Sequence, residues 1–220
     1  MIKTIAQTLV VALLVAAPGS LDARAEIVDR VSVVVGSRVI KQSDIDRDIR
    51  VVSFLNQTPP DFSARSRKEA ASRLIDQFLI RQDIQAARAA PAALGGVEQL
   101  LIQIKKERFA SETLYHQALA KYGLSEEELR SALLWQLTVL RFIDQRFGSS
   151  TPISEQEIQE YFNSHRAALT KAHPAGRSAT DVRPEIEAEI SGERANQQFE
   201  VWIDQTRKDA RIEYREESLR

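Results

Sequence analysis

Histidine, cysteine and paired carboxylates are the side chains from which most catalysis and metal binding are built. This chain is sparing with them: it has three histidines, His116, His165 and His173, and no cysteine. None of the histidines stands in the H-E-x-x-H spacing, or another pattern that aims two ligands at a metal from one helix face. His116 follows Tyr115 on a stretch of helical periodicity and reads as a surface or boundary residue. His165 falls near a helix end, where an imidazolium suits the negative pole of the helix dipole. Asp44 with Asp46, the run Glu126, Glu127 and Glu128, and Glu155 with Glu157 resemble carboxylate pairs. Each group lies in the first turn of an expected helix, where acidic side chains stabilise the positive pole. No G-x-S-x-G turn or phosphate-cradling glycine loop occurs, and thiol nucleophiles are excluded. The expectation is therefore no catalytic residue, no cofactor and no metal.

The elements around these residues are mostly helical. Residues 27–35 alternate and are rich in valine, Gly36-Ser37 is a turn signal, and residues 38–41 form a return strand. Ser43 reads as an N-cap, with Asp46 three residues on. A first helix runs from there to about Phe54. The segment around Pro59-Pro60 is a loop. A long helix covers residues 65–89, with Ala71, Leu74, Ile75, Phe78 and Leu79 on one face. Pro91 and Gly95-Gly96 read as its end, and Val97 as the start of the next helix, to Phe109. Ser111 caps a shorter helix that Gly123 stops. Ser125 with Glu128 is a capping box for a helix to Phe147. That helix is apolar on two sides, with Leu129, Leu133, Leu140 and Phe147 on one and Trp135, Val139 and Phe142 about 120° away. A central helix with two neighbours has this pattern; so has one that offers its Trp135 side to a client. Ser154 with Glu157 opens another helix, residues 166–180 read as a polar loop, and residues 181–209 as a last long helix. On it Ala188, Gly192 and Ala195 share a face with Phe199, Trp202 and Ile203, so close packing is expected there. Residues 210–214 alternate as a short strand. An isolated two-stranded hairpin is marginal in water, so this strand is expected to return and pair with it.

Lys3, the apolar run over residues 5–17 and Ala23-Arg24-Ala25 have the pattern of a signal peptide cleaved after Ala25. The run is shorter than the ~20 residues needed to span a bilayer. No later segment is apolar enough to cross one, so no stable membrane insertion is expected after cleavage. The formal charge of −1 argues against nucleic acid as a partner, which calls for a basic excess.

The stretch from Ile27 to Asp46 resembles the opening of the SurA-type periplasmic chaperones. It matches at Asp29, Val31, Val34, Val35, Val39, Ile40, Ser43 and Asp44. The similarity continues through Leu74-Ile75, Gly123-Leu124-Ser125 with Leu129-Arg130, and Ile153-Ser154 with Tyr161-Phe162 and His165. It ends on a closing helix with Phe199, Trp202 and Ile212. The resemblance implies a mostly α fold: an N-terminal β-hairpin, a multi-helix chaperone module, and a long C-terminal helix whose short strand returns to the hairpin. The organisation it implies is a signal peptide over 1–25, a helical module over 26–165, a linker over 166–180 and a completing helix and strand over 181–220. In that family a parvulin-type prolyl isomerase domain sits where this chain has residues 166–180, a stretch far below the ~50 residues of a small domain.

The function implied is a periplasmic holdase that binds unfolded polypeptide, above all outer-membrane proteins, without isomerase activity. Its client-binding candidates are Leu101, Ile104, Phe109, Tyr115, Trp135 and Phe142. Two other readings stand beside it: an adaptor for one folded envelope partner, and a peptidyl-prolyl isomerase by family label only. A homodimer is compatible with each, since a helix with two apolar faces can pair with a copy of itself.

Overall fold

A computed structural model describes residues 29–88, 92–148, 152–172, 181–215 and 219, with the backbone alone at 167–172. The signal peptide and the start of the first strand at Ile27 lie outside the described residues. Strand β1 (Val31–Val35) turns through Gly36 at φ 58° into β2 (Arg38–Lys41). This left-handed backbone is one that glycine adopts without steric cost. Val33 pairs with Ile40 and Val35 with Arg38. On the other side of β1 lies β3 (Ile212–Tyr214), antiparallel, with Val33 opposite Tyr214 and Val35 opposite Ile212. The tail therefore returns to the hairpin as expected, giving the sheet order β2-β1-β3. The Gly36 N–H donates to the Arg211 carbonyl at 2.9 Å and the Arg215 N–H to that of Ser32 at 2.8 Å.

Helix α1 (Gln42–Asn56) follows β2 without a loop, so its N-cap is Lys41 and not the expected Ser43. The Asp44 carboxylate accepts from the Lys41 N–H at 3.1 Å. Ser43 instead gives its hydroxyl and its N–H to Asp29, ahead of β1. These bonds, the hydroxyl's first among them, hold the Asp29 carboxyl below the usual carboxylate range. Helix α2 (Ala64–Ala86) is capped by Ser63. Helix α3 (Leu94–Arg108) begins before Gly95-Gly96, so the two glycines lie inside its first turn and do not precede it. A Cβ at Gly96 would meet the Leu137 side chain at 3.4 Å, an ordinary contact, and one at Gly95 would meet nothing within 4 Å. Helix α4 (Glu112–Tyr122) is capped by Ser111 and stopped by Gly123 at φ 63°. Helix α5 (Glu126–Phe147) opens with the expected Ser125–Glu128 capping box.

Helix α6 (Glu155–Ala172) runs further than expected: the segment from Arg166 to Ala172, read as loop, is helical. Its alanines, leucine and lysine are good helix formers; Pro174 and Gly176, the residues that suggest a linker, come later. Residues 173–180 lie outside the described set. Helix α7 (Arg183–Asp209) carries Pro184 in its first turn, where the missing N–H costs nothing.

Among the described residues three apolar clusters form the interior. The first joins Val33, Val35 and Ile40 of the sheet to Ile45, Ile75, Phe142, Phe147 and Ile203. The second joins Phe54, Leu101, Ile104, Tyr115, Leu129 and Leu133. The third is small and joins Ile158 of α6 to Val182, Ile186 and Ile190. Helix α5 gives its first half to the second cluster and its last turns to the first. It packs between α3 and α7 as a central helix, but not face by face as expected: Phe142 and Phe147, read on different sides, share the first cluster, and Leu140 is exposed. On α7 only part of the expected close-packed face is covered: Ala195 is buried, whereas Ala188 and Gly192 are exposed.

Candidate functional site

The six client-binding candidates do not come together on one surface. Leu101, Ile104 and Tyr115 are buried in the second cluster and Phe142 in the first. Phe109 and Trp135 are half-buried. Phe109 stacks on Phe54 at 6.0 Å and meets Tyr115 edge-on at 5.5 Å. Trp135 lies under the Arg81 guanidinium, 4.2 Å from the ring centroid, which covers the indole face by a cation–π contact. Phe142 packs against Trp202 at 5.6 Å, and Phe147 against Phe199 at 5.9 Å. Amphipathic periodicity marks the apolar side of a helix; it does not tell whether that side meets a neighbouring helix or water.

Apolar side chains that do reach solvent were missed by the sequence reading. Leu94 is 69% exposed, Ile102 63%, Leu140 56% and Val201 73%. The available signal was surplus: α3 carries more apolar residues than Val97, Leu101 and Ile104, which suffice to bury one face.

A cavity of about 190 Å³ opens between α1 and α2, with Ile49, Val52 and Pro59 as its apolar wall and Asp61, Glu69 and Arg73 at its polar side. A second hollow of about 170 Å³ lies beyond Pro59, lined by Pro60, Lys121 and Tyr122. Arg73 is committed to Asp48 at 2.6 Å. Burial pushes the Asp48 carboxyl above its usual range, against the pull of Arg73.

Charged side chains tie the helices together. Arg207 of α7 pairs with Asp76 of α2 and donates to the Ser72 carbonyl and hydroxyl at 2.7 and 2.6 Å. Burial raises the Asp76 carboxyl, with Arg207 opposing. A denser group sits where α3, α4 and α5 meet. The Lys105 ammonium is 2.6 Å from Glu112 and 3.2 Å from Glu126, and Arg130 pairs with Glu126 at 2.7 Å and also with Glu98. The Arg130 hydrogen bond, then Lys105, hold the Glu126 carboxyl below its usual range. His116 Nε2 lies 3.3 Å from Glu112. Ligand-type atoms of Glu112, His116 and Glu126 all lie within 4.8 Å of one another, although their spacing in the sequence matches no metal motif. His165 stacks on Tyr161 at 4.0 Å, and His173 lies outside the described residues.

No described helix is long and apolar enough to cross a membrane. No family model matches the chain. The chain is similar to "Chaperone SurA" of Chromobacterium violaceum, 26% identical over 145 residues. The match covers 64% of this chain and 33% of that protein, so the chain spans about a third of the relative's length. The likeness extends to a SurA-type chaperone at the level of distant similarity, on a fold that is mostly helical with an N-terminal hairpin joined by a C-terminal strand.

Proposed function

We propose that this chain is a holdase: an exported, periplasmic chaperone that binds unfolded outer-membrane proteins and carries no isomerase activity. The observation that carries the reading is the similarity to a chaperone over most of the chain. A holdase acts by mass action, lowering the free concentration of aggregation-prone chain. It needs apolar side chains in reach of solvent, and Leu94, Ile102, Leu140 and Val201 are such side chains. Outer-membrane strands present alternating apolar residues flanked by aromatic ones, a chemistry that many small apolar contacts can hold without a fixed sequence. Phe109 and Trp135 meet a client in the closed module, while Leu101, Ile104, Tyr115 and Phe142 do so only if the helices separate. In this reading residues 26–165 and 181–220 make one chaperone module, and the sequence between α6 and α7 takes the place of an isomerase domain.

The test is light scattering as an unfolded outer-membrane protein is diluted from denaturant into the mature chain. Suppression near equimolar ratio, absent with an unrelated helical protein, is the expected result. Full aggregation at excess chaperone overturns the reading and favours an adaptor for one folded partner. A prolyl isomerase assay on a model peptide is expected to give the uncatalysed rate.

A further inference from the structure

The group of charges at the junction of α3, α4 and α5 has an arrangement that the chaperone reading does not use. Glu112 and His116 stand one helical turn apart on α4, so their side chains share a face. Glu126, the first residue of α5, reaches the same point from the next helix. Between the two carboxylates is a cation already, the Lys105 ammonium, bound to Glu112 and Glu126. Beneath it lies Tyr115, 0% exposed, with the ammonium 4.3 Å from the ring centroid. The Tyr115 hydroxyl is buried without a hydrogen-bond partner.

We propose that Glu112, His116 and Glu126 form a site for a zinc-class divalent cation, which enters by exchange with the Lys105 ammonium. The ligand set decides the class of metal. One imidazole nitrogen with two carboxylate oxygens suits Zn²⁺, whereas Mg²⁺ and Ca²⁺ favour oxygen alone. Zinc bonds of about 2.0–2.2 Å require the three ligands to draw in from their present separation of up to 4.8 Å. Glu112 and His116 are exposed and free to do so. Charge sets the mechanism: Lys105 and Arg130 already neutralise the two carboxylates, so the metal does not fill a vacancy in charge but replaces one cation. Lys105 can leave because its long stem lets the ammonium swing to water. Arg130 holds the other oxygen of Glu126 and can stay. The bound ion would link α4 to α5.

The experiment is calorimetric titration of the mature chain with zinc chloride at about pH 7.5, above the usual imidazole pKa, with thermal unfolding in parallel. One equivalent of zinc is expected to bind and raise the unfolding temperature. His116→Ala and Glu126→Gln are each expected to weaken binding by about tenfold or more, while His165→Ala leaves it unchanged. Lys105→Met removes the competing cation and is expected to tighten binding. Because His116 is exposed, its loss leaves the fold intact, which circular dichroism checks. No heat and no thermal shift overturns the site. Equal binding by His116→Ala overturns the ligand set, and weaker binding by Lys105→Met overturns the exchange.

Discussion

Replacing Tyr115 by phenylalanine isolates one atom in the interior. The side chain is 0% exposed and its hydroxyl has no hydrogen-bond partner. A buried polar group without a partner costs about 1–3 kcal/mol. The ring's own contacts survive the change: the edge contacts with Phe109 at 5.5 Å and Phe54 at 6.4 Å, and the cation–π contact with Lys105 at 4.3 Å. Two smaller effects oppose the gain. The hydroxyl leaves a gap of less than a methyl group, and its interaction with the nearby Glu126 carboxylate, which together with burial keeps the phenol protonated, is lost. The net expectation for Tyr115→Phe is stabilisation by about 1 kcal/mol, or a rise of about 2–4 °C in the unfolding midpoint for a chain of this size. Tyr115→Ala removes the ring as well and is expected to cost about 3–5 kcal/mol. Urea unfolding followed by circular dichroism measures both, and an unchanged slope shows that the unfolded state is not what moved. Destabilisation of Tyr115→Phe by 1 kcal/mol or so refutes the reasoning, because the hydroxyl must then hold a hydrogen bond to Glu126 or to a buried water.

Two further outcomes follow from the charges. Arg207→Met is expected to lower stability by about 1–3 kcal/mol, because it leaves the half-buried Asp76 without its partner. Adding Asp76→Asn is expected to restore part of that loss, and an additive double mutant in urea unfolding counts against the pair as a unit. For the pH dependence, Glu126 is depressed by Arg130 first, and Glu128 by the Ser125 backbone N–H first. A depressed carboxyl stabilises the fold above its unfolded pKa and stops doing so as the pH falls through its folded one. Stability is thus expected to fall as the pH drops below the reference value of 4.5. Glu126→Gln is expected to lower the neutral plateau and flatten the acid limb in thermal melts taken across that range.

Local signals in the chain proved legible where one residue type has one strong role. The Ser111 cap, the Gly123 stop and the Ser125–Glu128 box stand where their chemistry demands. The return of the tail to the hairpin was legible for a different reason: a lone hairpin lacks a partner, and Ile212–Tyr214 is a strand of the right length. Ser43 misled because capping rules assume a loop before the helix, whereas β2 enters α1 directly and leaves the serine to Asp29. The glycines at 95 and 96 misled because a low helix propensity is outweighed by the burial of Val97, Leu101 and Ile104 on the same helix. Leu219 gave no periodic signal at all, yet is 2% exposed within the first cluster. The client-binding candidates suffered from the same limit as Ala188 and Gly192: which faces meet is a property of the whole fold and not of one helix.

Helix α7 shows why the two ends of the chain belong to one unit. Its last turns sit in the first cluster, with Trp202 against Phe142 and Phe147 and Arg207 on Asp76, a residue 131 positions earlier. Among the described residues its first turns carry the third cluster, closed by α6 through Ile158 and by Arg194 on Glu157. The body is therefore sealed by contacts that do not involve the connection between α6 and α7. Loop-closure entropy grows slowly, at about 0.6 kcal/mol per doubling of length. Whatever length of chain joins Ala172 to Asp181, the closing helix and strand can dock on the hairpin at nearly the same cost. A fold built this way can keep its helical body while the sequence at that junction grows or shrinks.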